Sequence, residues 1–538
     1  MLRFWALALV LLCPEVAGAS WPNVWPKPWH EASANATLLI CPNRFEFECC
    51  ACETSALLSA AILRYQKLLF LWGEGAACNA SQSLTDIAVE VKDLSEDLQF
   101  GVDESYELTV DAKGFGSLVS KTIWGAIRGL DSFAQLVSWD GDQQLYSVAA
   151  GEVNDAPAYP YRGILLDTAR HFLPVSALLR TLDGMAYNKL NTLHWHATDA
   201  ESMPVESTKF PKLARMGAFL PSATYSAADV RRVVEYGRQR AIRVLVEFDM
   251  PGHNYAYGIG YPDLLNNCSQ MYPLATEFWA ASFNPVREST YSFVESFLGE
   301  MVELFPDHVL HLGGDEVVEA CWNESTEIHD FMKKENMTDL GEVFTYFETR
   351  VHAIARKLNR TVQSWDEVFV NARSALPDDA IVHVYRGQDT LNAAVEAGYR
   401  GVLSSGFYLN TGFDMGGAET QWKDIYVSNI TDTKLSPEQA QRVIGAEACM
   451  WGETADDFNL DQRLWLRAAA FAERVWSRNR DVADLDAVSV RLIEQRCRLL
   501  QHGLRPSPYD NRDVFPRRSV VEQCELILPP TLATWRAL

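Results

Sequence analysis

His308-Val309-Leu310-His311-Leu312-Gly313-Gly314-Asp315-Glu316 is a short apolar run that breaks on two glycines and ends in two adjacent carboxylates. The run has the length and character of a buried strand, predicted over His308–Leu312. Glycines after a strand let a ligand approach the backbone closely, because no side chain stands in the way. Neighbouring residues of an extended chain point to opposite sides. Asp315 and Glu316 therefore cannot duplicate each other: one can face a reacting bond while the other aims elsewhere. Alone, the pair reads as a solvated acidic turn, since structural and solvated charges outnumber catalytic ones. Its context along the chain decides.

Seven other runs share this character: Gly163–Leu166, Thr192–Thr198, Ile242–Phe248, Thr361–Trp365, Ala380–Tyr385, Gly401–Ser405 and Val443–Cys449. Between them lie segments with helical spacing, among them Val175–Leu190, Ala227–Arg240, Thr290–Leu304, Val343–Leu358 and Leu391–Ala397. Short apolar strands alternating with helices imply parallel strands covered by helices. Eight such units over about 300 residues predict an α/β fold of the (β/α)8 TIM-barrel type, typically roughly 250 residues plus insertions. An open doubly wound sheet is the rival, but no glycine-rich phosphate loop follows any strand.

Upstream the pattern differs. Trp21-Pro22-Asn23-Val24-Trp25-Pro26-Lys27-Pro28-Trp29 cannot form a regular helix and reads as an extended strap. Helical spacing over 55–71, strand alternation over 86–92 and 105–110, and an amphipathic helix over Lys121–Val137 make a small α+β domain. The predicted division is a signal peptide at 1–19, an α+β domain at 20–157, a catalytic barrel at 158–505 and a tail at 506–538. Arg3, the apolar Phe4–Leu12 and the small residues Ala17-Gly18-Ala19 carry the signal reading. That apolar run is too short to span a bilayer, and no later stretch is long enough, so membrane insertion is not expected.

A formal charge of −24 repels phosphate backbones and anionic lipid, so nucleic acid is excluded as a partner. Sequons at Asn35, Asn79, Asn267, Asn323, Asn336, Asn359 and Asn429, together with a signal, fit a glycoprotein of the secretory pathway. Of 11 cysteines, Cys13 leaves with the signal. Cys41, Cys49, Cys50, Cys52 and Cys78 cluster early, and an oxidising compartment permits disulfides. That cluster lacks two well-spaced Cys-x-x-Cys pairs, so zinc is not expected there. His194 and His196 lack a third ligand with supportive spacing, and no metal or cofactor is predicted.

In a TIM barrel the chemistry sits at the C-terminal ends of the strands. Those ends carry Asp167 and Arg170, His194-Trp195-His196 with Asp199, then Glu247, Asp249 and His253, and Asp315-Glu316. Trp365-Asp366-Glu367, Tyr385-Arg386, Tyr408 and Trp451-Gly452-Glu453 follow. Acids and indoles around one mouth suit a sugar: carboxylates accept from hydroxyls, and aromatic faces cover the apolar side of the ring. The segments Arg162-Gly163, Asp167-Thr168-Ala169-Arg170-His171, His194-Trp195-His196, Glu247 to His253, His311 to Glu316 and Ala448 to Glu453 resemble the family 20 glycoside hydrolases. More narrowly they are similar to the lysosomal β-N-acetylhexosaminidases of eukaryotes. The likeness runs from about Trp21 to about Arg505 and includes Trp124 to Leu130 of the small domain.

The resemblance implies an exo-acting, retaining hydrolase of terminal β-linked GlcNAc and GalNAc. Its nucleophile is the substrate's own 2-acetamido oxygen, an exception to the two-carboxylate scheme. Glu316 would be the general acid/base. Asp315 would hold the acetamide N–H and stabilise the charge that develops there, and Tyr408 would hydrogen-bond the acetamide oxygen. Arg162 would fork onto the 3- and 4-hydroxyls, and Glu453 would accept from the 4- and 6-hydroxyls. Trp365, Tyr385 and Trp451 would wall the pocket, and Asp199 with His253 would position Glu316.

Three departures qualify the likeness. Tyr385 stands where the family usually has Trp, Ala200 where animal-type enzymes have a second Asp, and Thr411, near Tyr408, carries no positive charge for sulfated or sialylated substrates. The resemblance also implies a Cys268–Cys321 bridge, a free Cys449, a lysosomal or extracellular location and a homodimer. Cys497 with Cys524 is a plausible pair, and the early cluster leaves a free or intermolecular thiol. Two other functions fit such a chain: a sugar-binding homologue without catalysis, and an enzyme preferring disaccharides or chitin oligomers.

Overall fold

The computed structural model of the chain describes residues 24–73, 83–266, 280–412, 420–478 and 482–509. The expected signal peptide, Asn79, Asn267, Cys78, Cys268, Cys524 and most of the tail lie outside the described residues. All eight expected barrel strands form, and they close on themselves in sequence order. Their bounds are Tyr161–Asp167, Thr192–His196, Arg243–Glu247, Val309–His311, Thr361–Trp365, Ile381–Val384, Arg400–Leu403 and Val443–Met450. Every pairing is parallel, and the last strand returns to the first with Ala446 opposite Arg162 and Met450 opposite Leu166. The fourth strand ends at His311 because Gly313 and Gly314 turn to φ +68° and +95°. A Cβ on Gly313 would fall 1.7 Å from an Asp249 oxygen, so only glycine fits.

The barrel interior is layered. Tyr161, Leu245, Val309, Ile381, Val402 and Ile444 form an apolar floor. Above it His194, His196, His311 and His383 surround the carboxylates Glu247 and Glu447, all buried. His194 Nδ1 lies 2.7 Å from Glu447, His196 Nδ1 2.5 Å from Glu247, and His311 Nδ1 3.1 Å from Glu247. These histidines thus have carboxylate partners. Burial alone would push His194 down, but Glu447 and Glu247 outweigh it and lift it to about 9. Stability from this cation is therefore full below the ordinary histidine value, about 6.5, and is lost as pH rises toward about 9. His194→Gln is expected to flatten the fall in Tm across that window, measured by calorimetry. The top layer is Leu165, Trp365, Cys449 and Trp451, on which the site is built.

The smaller domain is an eight-stranded mixed sheet carrying helices Ala56–Leu69 and Ile123–Leu136. Ser55 and Thr122 cap these helices by accepting from Leu58 and Gly125 N–H groups. Ile123–Leu136 falls within the amphipathic helix expected over Lys121–Val137, but it has no solvent-facing polar side. It is instead buried nearly all round, because it lies between the sheet and the base of the barrel. Arg128 on this helix donates to the Leu190 and Ala241 carbonyls, at 3.1 and 2.8 Å, just before the second and third barrel strands. The proline-rich lead behaves as a strap from Val24 onward. Trp25 is fully buried and exchanges two 2.7 Å hydrogen bonds with Gln135, while Lys27 N–H donates to Glu473 of the barrel at 2.8 Å.

Cys49 and Cys52 form a disulfide, and Cys50 between them is free and exposed. Cys41, Cys321 and Cys497 are also disulfide-bonded. Cys449 is free and buried. Asn35, Asn323, Asn336, Asn359 and Asn429 are all exposed. No helix among the described residues is long and apolar enough to cross a membrane.

Candidate active site

A cavity of about 650 Å³ opens at the C-terminal rim of the barrel. It gathers Arg170, Asp199, His253, Asp315, Glu316, Trp365, Tyr385, Tyr408, Trp451 and Glu453 from separate strand ends. Nine of the ten residues assigned to catalysis or sugar binding thus meet in one place.

Arg162 does not, and its expected role is corrected. It lies near the start of the first strand, five residues below Asp167, or roughly 17 Å at the rise of a strand. Its guanidinium is fully buried against the smaller domain. It donates to Glu104 at 2.6 Å and to the Lys189 and Tyr159 carbonyls at 3.0 Å, and it lies over the Trp476 ring. The guanidinium at the mouth belongs to Arg170, three residues past the end of the same strand. Arg170 follows the strand end, where a TIM barrel collects its chemistry, and that position is the sequence signal that separates it from Arg162.

Asp167 fixes this corner of the rim. It accepts from the Ala169 and Arg170 N–H groups at 2.8 and 3.2 Å and from Gly452 N–H at 2.9 Å. The first and eighth strand ends are thereby tied together, with Arg170 over the Trp451 ring, 5.1 Å from its centre. Trp365 is only 1% exposed and donates its indole N–H to Glu247 at 2.8 Å, so it floors the cavity rather than walling it. Tyr385 meets Trp365 edge-on, with centres 5.8 Å apart, and its hydroxyl donates to Glu367. Tyr385 thus lines the cavity with an anchored hydroxyl.

Tyr408 is held by a parallel bridge to Cys449, with Leu409 N–H donating to the Cys449 carbonyl at 2.8 Å. Burial pushes its phenol far up, so it remains a hydrogen-bond donor. Asp315 has a buried Oδ1 without a hydrogen-bond partner. Burial raises its carboxyl to about 7; the nearby carboxylates Glu247 and Glu316 add to this, and His253 opposes it. Asp249, beside it, is also raised, by burial and then by Asp315. An N–H donor or a positive charge from a ligand is what Asp315 lacks.

Glu316 stands at the mouth with its side chain 63% exposed and its backbone at φ +49°. His253, at φ +57°, places Nε2 3.6 Å from Glu316 Oε2 and Nδ1 3.1 Å from Asp199 Oδ1. Two non-glycine residues in the left-handed region, facing each other across a cleft, mark the kind of strain found at functional sites. Burial disfavours the His253 cation, but Asp199 outweighs it and raises the imidazole well above its ordinary value. His253 in turn holds Glu316 below the usual carboxylate range in the open site.

The site's relatives agree with its geometry. Residues 159–479 match the catalytic-domain model of glycosyl hydrolase family 20, and residues 24–136 match the beta-acetyl hexosaminidase like domain. Beta-hexosaminidase subunit alpha of Rattus norvegicus is 38% identical over 530 residues, covering 94% of this chain and 97% of that protein. Beta-hexosaminidase subunit beta of Homo sapiens is 36% identical over 510 residues, covering 92% and 90%. Among solved structures, the chitobiase of Flavobacterium johnsoniae superposes with a TM-score of 0.78 at 27% identity, covering 90% of this chain and 73% of that one. The chain belongs to glycosyl hydrolase family 20, the β-hexosaminidases.

Proposed function

We propose that the cavity binds one terminal, non-reducing β-linked GlcNAc or GalNAc and releases it with retention through the substrate's own acetamide. The observation that carries this is the unpartnered Asp315 oxygen beside the Tyr408 phenol, with Glu316 at the mouth. A 2-acetamido group fits both: its N–H donates to Asp315, and its carbonyl accepts from Tyr408. Held that way, its oxygen sits ready to attack C1, and an intramolecular attack of good geometry is worth up to about 7–11 kcal/mol. Asp315 then faces the positive charge of the oxazolinium ring, which favours its ionised form.

Glu316 protonates the departing oxygen and later activates water. Asp199 and His253 orient it and hold the neighbouring charge. Arg170 takes the fork onto the 3- and 4-hydroxyls, Glu453 accepts from the 4- and 6-hydroxyls, and Trp365, Tyr385 and Trp451 enclose the ring. Thr411 lines the cavity and brings no positive charge, which favours neutral over sulfated or sialylated sugars. The exposed sequons and the disulfides suit a lysosomal or extracellular location; the homodimer implied by the family is tested by light scattering of the secreted protein.

The first test is proton NMR of an aryl β-N-acetylglucosaminide at mildly acidic pH, with the β-glucoside as control. The β-anomer should appear first, and the glucoside should stay intact. Cleavage of the glucoside, or an α-anomer first, would sink the acetamide mechanism. Asp315→Asn is expected to lower kcat by about 10²–10³-fold, the usual loss when one charge-stabilising group is removed.

A further inference from the structure

We propose that Glu201 is a positioning residue for sugar recognition: it holds the Arg170 guanidinium in the plane that reaches the sugar hydroxyls, in place of the acid absent at Ala200. This rests on the sugar-binding role proposed for Arg170. Each of the three guanidinium nitrogens meets a different carboxylate. Nη1 donates to Asp167 Oδ2 at 3.2 Å, Nη2 pairs with Asp199 Oδ2 at 2.8 Å, and Nε faces Glu201 Oε2 at 3.3 Å. An arginine has five N–H bonds in one plane. Asp167 and Asp199 each take one direction of an Nη, while the Nε–Glu201 approach is an ion-pair contact without a hydrogen bond, so the remaining Nη hydrogens are the ones left for a ligand in the cavity. Two of the anchors come from the first and second strand ends, but Asp199 also serves His196 and His253, at 2.9 and 3.1 Å. Glu201 is the anchor on the Nε edge, and it sets the tilt of the fork.

Ala200 makes the assignment specific to this chain. Its side chain is fully buried, and its N–H donates to Asp199 Oδ1 at 2.5 Å, so position 200 offers Arg170 nothing. The next residue supplies the acid on a longer side chain, with 27% of it exposed at the edge of the mouth. Burial and the neighbouring Asp199 raise the Glu201 carboxyl to about 7. What faces Nε is a side-chain oxygen at 3.3 Å, and a glutamine places an oxygen at the same reach.

The test compares wild type, Glu201→Gln and Glu201→Ala at mildly acidic pH. Calorimetric titration gives Kd for N-acetylglucosamine and its 3-deoxy analogue, and hydrolysis is followed in the same preparations. Glu201→Ala should weaken N-acetylglucosamine by about two- to fivefold, the order of one partly exposed contact to a charged group. The loss for the 3-deoxy sugar should be much smaller, KM should rise while kcat stays within about twofold, and Glu201→Gln should be close to wild type. An unchanged Kd in Glu201→Ala overturns the proposal. So does an equal loss for both sugars, which would make Glu201 merely structural; the folded Gln variant guards against an unstable Ala variant. Wild type that binds the sugar without cleaving glycosides would fell the hydrolase reading and leave the Glu201 comparison intact.

Discussion

Glu316→Gln is expected to lower kcat by about 10²–10⁴-fold on substrates with a sugar leaving group, with KM little changed. The substitution is nearly isosteric, and the side chain is mostly exposed, so the fold should not respond. What disappears is the proton. A sugar alkoxide is a poor leaving group and needs protonation as its bond breaks, whereas a phenol of low pKa leaves with little help. The loss should therefore shrink steadily as the phenol becomes more acidic, until hydrolysis of the oxazoline, which needs Glu316 as a base, limits the rate. A loss independent of the leaving group would contradict the general-acid role. In the open site the facing His253 keeps Glu316 ionised below the usual range, the opposite of what an acid requires. A sugar ring over the mouth removes water from this exposed carboxylate, and desolvation raises a carboxyl. The pH profile of kcat should accordingly show a higher acid-group pKa than that of kcat/KM, because the first reports the loaded site and the second the free one.

Glu104→Ala is expected to destabilise the folded chain by about 3–5 kcal/mol, the cost of stranding buried charges. Glu104 is 4% exposed and accepts from Arg162 Nη2 at 2.6 Å, Arg128 Nε at 2.8 Å and Asn191 Nδ2 at 2.9 Å. Burial works against its charge, but Arg162 and then Arg128 outweigh it and lower its carboxyl. Without Glu104 two buried guanidiniums face each other across the seam between the sheet domain and the barrel. Urea denaturation should show the loss in the midpoint, and the folded fraction should keep its KM. The same logic separates Arg162 from Arg170. Arg162→Met should cost stability and spare KM, whereas Arg170→Met should raise KM sharply. A rise in KM for Arg162→Met would reinstate it as a sugar ligand.

The barrel was legible because each strand is a short apolar run bounded by turn residues, and parallel strands buried on both faces need no finer pattern. All eight appear within a few residues of their expected bounds. The helix Ile123–Leu136 was legible as a helix, but its burial was not. Periodicity reports which face is apolar, and Arg128 and Asp131 mark a polar face that the barrel base covers instead of water. The acid pair, Tyr408, the indoles and the Asp199–His253 couple were readable because they fall at strand ends, where the fold itself collects side chains.

The sequence alone therefore determined the architecture and the make-up of the rim: strand ends carrying acids and aromatics suit a sugar, and the resemblance to family 20 adds the acetamide reading. It did not determine which of two arginines, one on the first strand and one just past its end, serves that site, because Arg162 and Arg170 both lie in segments that resemble the family and differ in height along the barrel. Only the tertiary structure sets that height. It buries Arg162 in the seam with Glu104, leaves Arg170 at the mouth, and brings Glu201 to the side of Arg170 that Ala200 cannot reach. The physical reason is that a side chain's partners across space depend on register and closure, which no local pattern encodes.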